Sequence, residues 1–331
     1  MQEYMENIIE VKNLKKIYKR RKRHDNFLKG MFERQYEEFK AVNDISFTIE
    51  KGEAVGYVGP NGNGKSTTIK MLSGILQPTS GAVYVNGIAP LEHRLENNKN
   101  IGVVFGNKSQ LWWDVPVKDS FLMLKKLYNI PDVQFNNNLE EFVNVLNLKE
   151  LLNVPERQLS LGQRVRSNIT AAFLHDPSIV YLDEPTIGLD TESKDSIRAF
   201  IKRLNDIKKV TFVITSHDYQ DIETLCKRII LINHGKIILD SPIENVREEF
   251  NRYKTISIKC EGNNEVNCAI LEETNFKIVG VEADHIQIEY DTESYDPVEL
   301  LWLLRKKLSI KDVVISDRSI EAIIKDIVHN Q

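Results

Sequence analysis

The sequence predicts an α/β fold: a mostly parallel sheet, with an antiparallel β subdomain, a helical subdomain and a small α+β domain at the C-terminus. Three observations predict it. Between residues 55 and 240, near-continuous apolar runs (VGYVG, IGVVF, SIVYLDE, VTFVITS) alternate with helical stretches. Such runs suit strands buried on both faces of a parallel sheet. A long stretch, roughly 117–174, reads as a helical region. From about residue 250, the strand-like runs TISIKC, FKIVGV, HIQIEY and DVVIS interleave with helical stretches near 265–274, 297–308 and 319–329, an order that resembles a ferredoxin-like domain. The predicted division is therefore 1–249 and 250–331.

The chain opens with IIEVKNL and DISFTIE, both alternating as half-buried strands do. Between them lies an insert, 19–40. Its first part, KRRKRH, is densely basic; its second places Leu28, Met31, Phe32, Tyr36 and Phe39 at helical spacing and predicts an amphipathic helix. RIILINHGKIILD reads as a hairpin turning at 233–235.

With 331 residues, 41% hydrophobic and 28% charged, the chain has the composition of a soluble globular protein with one large and one small domain. A net charge of -4 argues against a nucleic acid partner. No apolar run approaches the roughly 20 residues of a membrane helix. The start, MQEYMENIIE, lacks the order of a signal peptide, so a cytoplasmic location is expected. Cys226, Cys260 and Cys268 show neither metal spacing nor a disulfide framework.

Gly59, Pro60, Asn61, Gly62, Asn63, Gly64, Lys65, Ser66 and Thr67 fit G-x-x-x-x-G-K-[ST] between the strand AVGYV and the helical run TTIKMLSGIL. That context makes a P-loop. Its N–H groups and the helix N-terminus cradle phosphate, Lys65 adds a point charge, and the Ser66 hydroxyl is a Mg²⁺ ligand. The apolar strand IVYLD ends in Asp183, placed to orient Mg²⁺, and Glu184 follows, placed to polarise an attacking water as general base.

Further motifs follow in order. Leu159-Ser160-Leu161-Gly162-Gln163 opens the helical run before that strand; Gly188-Leu189-Asp190 and His217 in ITSHD come after it, and Tyr18 stands in LKKIYK. Over residues 8–246 this resembles the ATP-hydrolysing subunits of ABC transporters, whose signature is L-S-G-G-Q. The resemblance implies that Tyr18 stacks on adenine and His217 contacts the γ-phosphate. It implies that Ser160, Gly162 and Gln163 reach ATP bound by the opposite subunit, so that the chain pairs with a copy of itself or a paralogue. It also implies a glutamine after the strand IGVVF that senses γ-phosphate and Mg²⁺. Asn107 is the best positional match and Gln110 the runner-up.

Leu161 departs from the signature glycine, and leucine resists backbone angles that glycine tolerates. Asn63 stands where the family commonly has alanine. LWWDVPV, with Trp112 and Trp113, lies where the family receives a coupling helix of its membrane subunit. The basic run of the insert reads equally as a contact to anionic lipid or as a solvated loop. The stretch LWWDVPV, the short C-terminal domain and its end, DRSIEAIIKDIV, are similar to the sodium-extrusion and daunorubicin-resistance type. That type implies a polytopic ABC-2-type membrane partner, export, and a place on the inner face of the cell membrane. The alternatives are a polysaccharide exporter, marked by a C-terminal β-sandwich, and a soluble non-transport ABC ATPase, marked by two cassettes or a coiled-coil insertion.

Overall fold

The computed structural model describes residues 6–21, 36–106, 108–250, 252–261, 268, 277–281 and 285–329. Contacts divide the chain into two compact units, Met1–Ser241 and Pro242–Gln331.

In the first unit, β1 (Asn7–Arg21) and β2 (Tyr36–Glu50) form a long antiparallel pair. β3 (Ala54–Val58) and α1 (Lys65–Leu72) follow, and then β4 (Ser80–Val85), which pairs on the far side of β1. β4 was not singled out from the sequence. Strand alternation decides β2: Ile45, Phe47 and Ile49 enter the core while Ser46 and Thr48 face out. The predicted amphipathic helix needs correction at its end. Tyr36 and Phe39 lie in β2, opposite Arg21 and Tyr18, because the pairing with β1 continues to Arg21 and overrides the helical spacing. Leu28, Met31, Phe32 and the second half of the basic run, 22–24, fall outside the described residues.

α2 (Arg94–Asn100) leads into β5 (Ile101–Phe105). Helices α3 (Val117–Tyr128), α4 (Asp132–Val145) and α5 (Leu161–Phe173) then make the helical region. The alternation resumes with β6 (Ile179–Asp183), α6 (Thr191–Lys208), β7 (Thr211–Thr215), α7 (Tyr219–Leu225), β8 (Arg228–Asn233) and β9 (Lys236–Pro242). The six-stranded sheet runs β5-β6-β7-β3-β8-β9. The pairs β5–β6, β6–β7, β7–β3 and β3–β8 are parallel. Their carboxyl ends therefore share one edge, where ligands bind in open α/β sheets. Phe142, Phe173 and Phe200 pack edge-on at ring separations of 5.3–6.3 Å and lock α4, α5 and α6 together.

The second unit starts with α8 (Ile243–Glu249) and β10 (Tyr253–Cys260). β11 (Lys277–Val281), β12 (His285–Asp291), α9 (Pro297–Lys307), β13 (Ile310–Asp317) and α10 (Ile320–His329) complete it. Its single antiparallel sheet runs β11-β12-β10-β13. Ile256, Ile258, Ile286 and Ile288 pack in its core with Leu300 and Leu304 of α9. The helix expected near 265–274 lies almost wholly outside the described residues.

Candidate functional site

The loop between β3 and α1 is forced into its path by close approaches. A Cβ on Gly59 would stand 2.1 Å from the Ile232 carbonyl oxygen, and one on Gly64 2.2 Å from that of Ala41. Only glycine fits either position. Lys65 is buried and folds back over the loop, its Nζ donating to the carbonyls of Gly59 at 2.6 Å and Pro60 at 3.2 Å. Burial pushes its amine below the usual lysine range, while Glu184 and Asp183 pull it up. A buried cation whose strongest contacts are neutral carbonyls is a receptor for an anion.

Asp183 and Glu184 stand at the end of β6, beside the end of β7. Asp183 Oδ1 accepts from Thr215 Oγ1 at 2.7 Å and from Ser66 Oγ at 3.2 Å. This carboxylate and hydroxyl form a hard-oxygen donor set, which fits Mg²⁺. Glu184 holds a left-handed backbone, φ 58°, a strained state for a side chain with a Cβ. Its Oε2 accepts from the His217 N–H at 3.1 Å and its Oε1 lies 3.3 Å from His217 Nε2. Burial pushes the Glu184 carboxyl above the usual carboxylate range; His217 and Lys65 pull it down.

One cavity of 540 Å³ joins these groups. Lys65, Ser66, Thr67, Glu184 and His217 line it, as do Asn61, Gly62 and Gly64 of the loop. Tyr18, Lys19, Phe39 and Ala41 line it too. Sequence reasoning missed Phe39 because its spacing had been read as helical; the signal that could have found it is the continued strand pairing opposite Tyr18. Asn63 turns away: its side chain bonds Asn233 at 3.2 Å and the His234 N–H at 3.1 Å, tying the loop to the β8–β9 turn.

Asn107 lies outside the described residues. Its neighbour Gly106 donates to the Asp183 carbonyl at 2.8 Å, so the chain at Gly106 runs beside the end of β6. Gln110 uses its amide elsewhere, donating to the Val103 carbonyl at 2.6 Å.

The signature segment is a helix cap. Ser160 Oγ accepts from the Gln163 N–H at 3.3 Å, and Gln163 Oε1 accepts from the Ser160 N–H at 2.9 Å, a capping box that fixes the N-terminus of α5 by satisfying two N–H groups, while the positive end of the helix dipole favours an anion there. Leu161 is the first residue of α5 and is absent from the positive-φ residues. The position thus makes no demand for glycine's backbone freedom. A Cβ on Gly162 would stand 3.0 Å from Ser193 Oγ, whose N–H and hydroxyl bond Asp190, the cap of α6. Among the described residues lining the Lys65 cavity, none comes from the signature segment.

The family model described as ABC transporter matches residues 42–187. The ABC transporter ATP-binding protein NatA of Bacillus subtilis is 34% identical over 209 residues, covering 63% of this chain and 85% of NatA. The chain belongs to the ATP-binding subunits of ABC transporters. Like the rest of that family it is an ATPase. The methionine import ATP-binding protein MetN 1 of Oenococcus oeni is 27% identical over 87% of this chain and 80% of its own. The dimeric post-hydrolysis structure of the ATP-binding cassette MJ0796, bound to ADP and Pi, superposes with a TM-score of 0.59 at 26% identity, over 71% of this chain and 98% of that one. Among the described residues no helix is long and apolar enough to cross a membrane.

Proposed function

We propose that this chain powers export through a separate ABC-2-type membrane protein, two ATP-binding chains closing on two ATP at the inner face of the membrane. One observation carries the two-chain reading. The cavity over Lys65 holds phosphate-binding and acid–base groups, while the capped N-terminus of α5 contributes nothing to it. A second chain brings Ser160, Gly162 and Gln163 to the γ-phosphate.

In this reading the loop N–H groups and Lys65 hold the β- and γ-phosphates, and Tyr18 stacks on adenine. Ser66 and Asp183, with Asn107 by its place in the sequence, would hold Mg²⁺, which when bound would supply positive charge against the phosphates. Glu184 accepts a proton from the attacking water, and His217 orients Glu184 and meets the γ-phosphate. Tyr18→Ala is expected to weaken ATP about fivefold while leaving inorganic triphosphate unchanged, measured by competition binding; equal losses remove the stacking role.

A second cavity, of 390 Å³, is lined by Leu111, Trp113, Leu161 and Arg164 and bordered by Gly106 and Lys108. Arg164 pairs with buried Glu156 at 2.9 Å and lies 5.7 Å from the Trp113 ring centre. Trp112 and Trp113 are 41% and 59% exposed, which supports an interface role over packing in the helical region. Changing both to Ala is expected to keep fold and nucleotide affinity and to lower transport-stimulated ATPase activity roughly tenfold or more, measured with the membrane subunit in vesicles. Unfolding of the variant returns the tryptophans to the core.

The C-terminal unit supports a ferredoxin-like accessory domain, since β10, β11, β12 and β13 take the order β11-β12-β10-β13. The alignment with the methionine import protein favours import as a second reading. Substrate flux in vesicles of known orientation separates the two.

A further inference from the structure

Behind the site lies a buried carboxylate that the mechanism above does not use. Asp221, in the first turn of α7, is fully buried. Its Oδ1 accepts from Arg198 Nε at 2.6 Å. Its Oδ2 accepts from Ser216 Oγ at 2.8 Å and from Thr186 Oγ1. These two hydroxyls belong to the segments that carry the site. Thr186 stands two residues after Glu184, and Ser216 immediately precedes His217.

Ser216 works in both directions. Its hydroxyl donates to Asp221 and accepts from the Asp218 N–H at 3.0 Å. The peptide around His217 is therefore pinned on both sides. Asp218 is fixed in turn by Lys194 Nζ at 2.6 Å and Arg198 Nη2 at 3.2 Å. From this pinned turn the His217 N–H reaches Glu184 Oε2. On the other branch, the left-handed Glu184 stands between Asp183 and Pro185, with Thr186 anchored next. A strained residue persists only where its surroundings over-determine it, and the Thr186–Asp221 bond is one such restraint.

We propose that Asp221, locked by Arg198, is a positioning residue for hydrolysis: through Ser216 and Thr186 it sets the His217 turn and the Glu184 backbone in register. This rests on the roles given above to Glu184 and His217. A buried ion pair is by itself weak evidence of stabilisation. Here the convergence of both site segments on one carboxylate gives it a different task.

Asp221→Asn risks misfolding, so the test uses the two hydroxyls in the full-length chain. Ser216→Ala and Thr186→Val are expected to lower kcat by roughly tenfold to a hundredfold, the scale of a misplacement near 1 Å. KM for ATP should stay within about twofold, because neither residue lines the nucleotide cavity. Thr186→Ser, which restores the hydroxyl, should recover most of the rate. In a His217→Ala background the Ser216→Ala change should cost less than about twofold, since its effect runs through His217. Full kcat in both hydroxyl variants overturns the proposal, as does an undiminished Ser216→Ala loss without His217. If instead Glu184→Gln and His217→Ala themselves keep normal kcat, the underlying assignment of the site fails. Slow Glu184 and His217 variants beside fast hydroxyl variants sink only the positioning role.

Discussion

Glu184→Gln binds ATP with near-native affinity, hydrolyses it about 10²–10⁴ times more slowly, and accumulates as an ATP-bound dimer. That is the expected result from the position of the side chain. It lies in the nucleotide cavity, at the carboxyl end of β6, with both oxygens against His217. The amide keeps the shape and loses the base. Single-turnover hydrolysis and gel filtration with ATP check this, and normal turnover would remove Glu184 from the role. Two further consequences follow from burial, which raises the carboxyl above its usual range. A base must be deprotonated, so the acid limb of kcat against pH should lie above the range of an exposed glutamate. The stability effect has the opposite sense to a salt-bridged acid. A raised pKa means the folded chain holds the proton more tightly than the unfolded one. The carboxylate therefore costs stability that grows as pH rises through the folded value. At neutral pH the Gln variant should melt no lower than wild type and somewhat higher, and the difference should vanish in acid.

Mixing a Lys65→Ala chain with a Ser160→Arg chain restores part of the ATP-dependent dimerisation that each variant loses alone. Lys65 is a buried cation placed for phosphate, and hydrogen bonds to charged groups contribute about 1.5–3 kcal/mol. Its removal should weaken ATP roughly tenfold to a hundredfold. Arginine at 160 breaks the capping box and blocks the open end of α5. If each site takes its phosphate loop from one chain and its helix cap from the other, a mixed dimer gathers both lesions in one site and leaves the second intact. Analytical ultracentrifugation of the mixture against each homodimer measures this. A mixture that behaves as the plain average shows that the sites are not shared.

The sequence by itself determined the chemistry-bearing segments, because their physics is local. Gly59 and Gly64, followed by Lys65 and a helix, make the P-loop pattern, and buried β6 ending in Asp183, with Glu184 next, puts charge at the carboxyl edge of the sheet. The capping box at 160–163 is likewise local, closed within four residues. The tertiary structure decided what depends on partners far along the chain. Pairing with β1 made a strand of Tyr36–Phe39 against its helical spacing and set Phe39 across from Tyr18. Bonds to Asn233 and His234 drew Asn63 off the nucleotide wall. The helical geometry at the start of α5 removed the objection to Leu161. Above all, Asp221 converges on Thr186, Ser216 and Arg198 across separations of 35, 5 and 23 residues. A buried carboxylate takes donors from whatever the fold brings within reach, and no spacing in the sequence announces them.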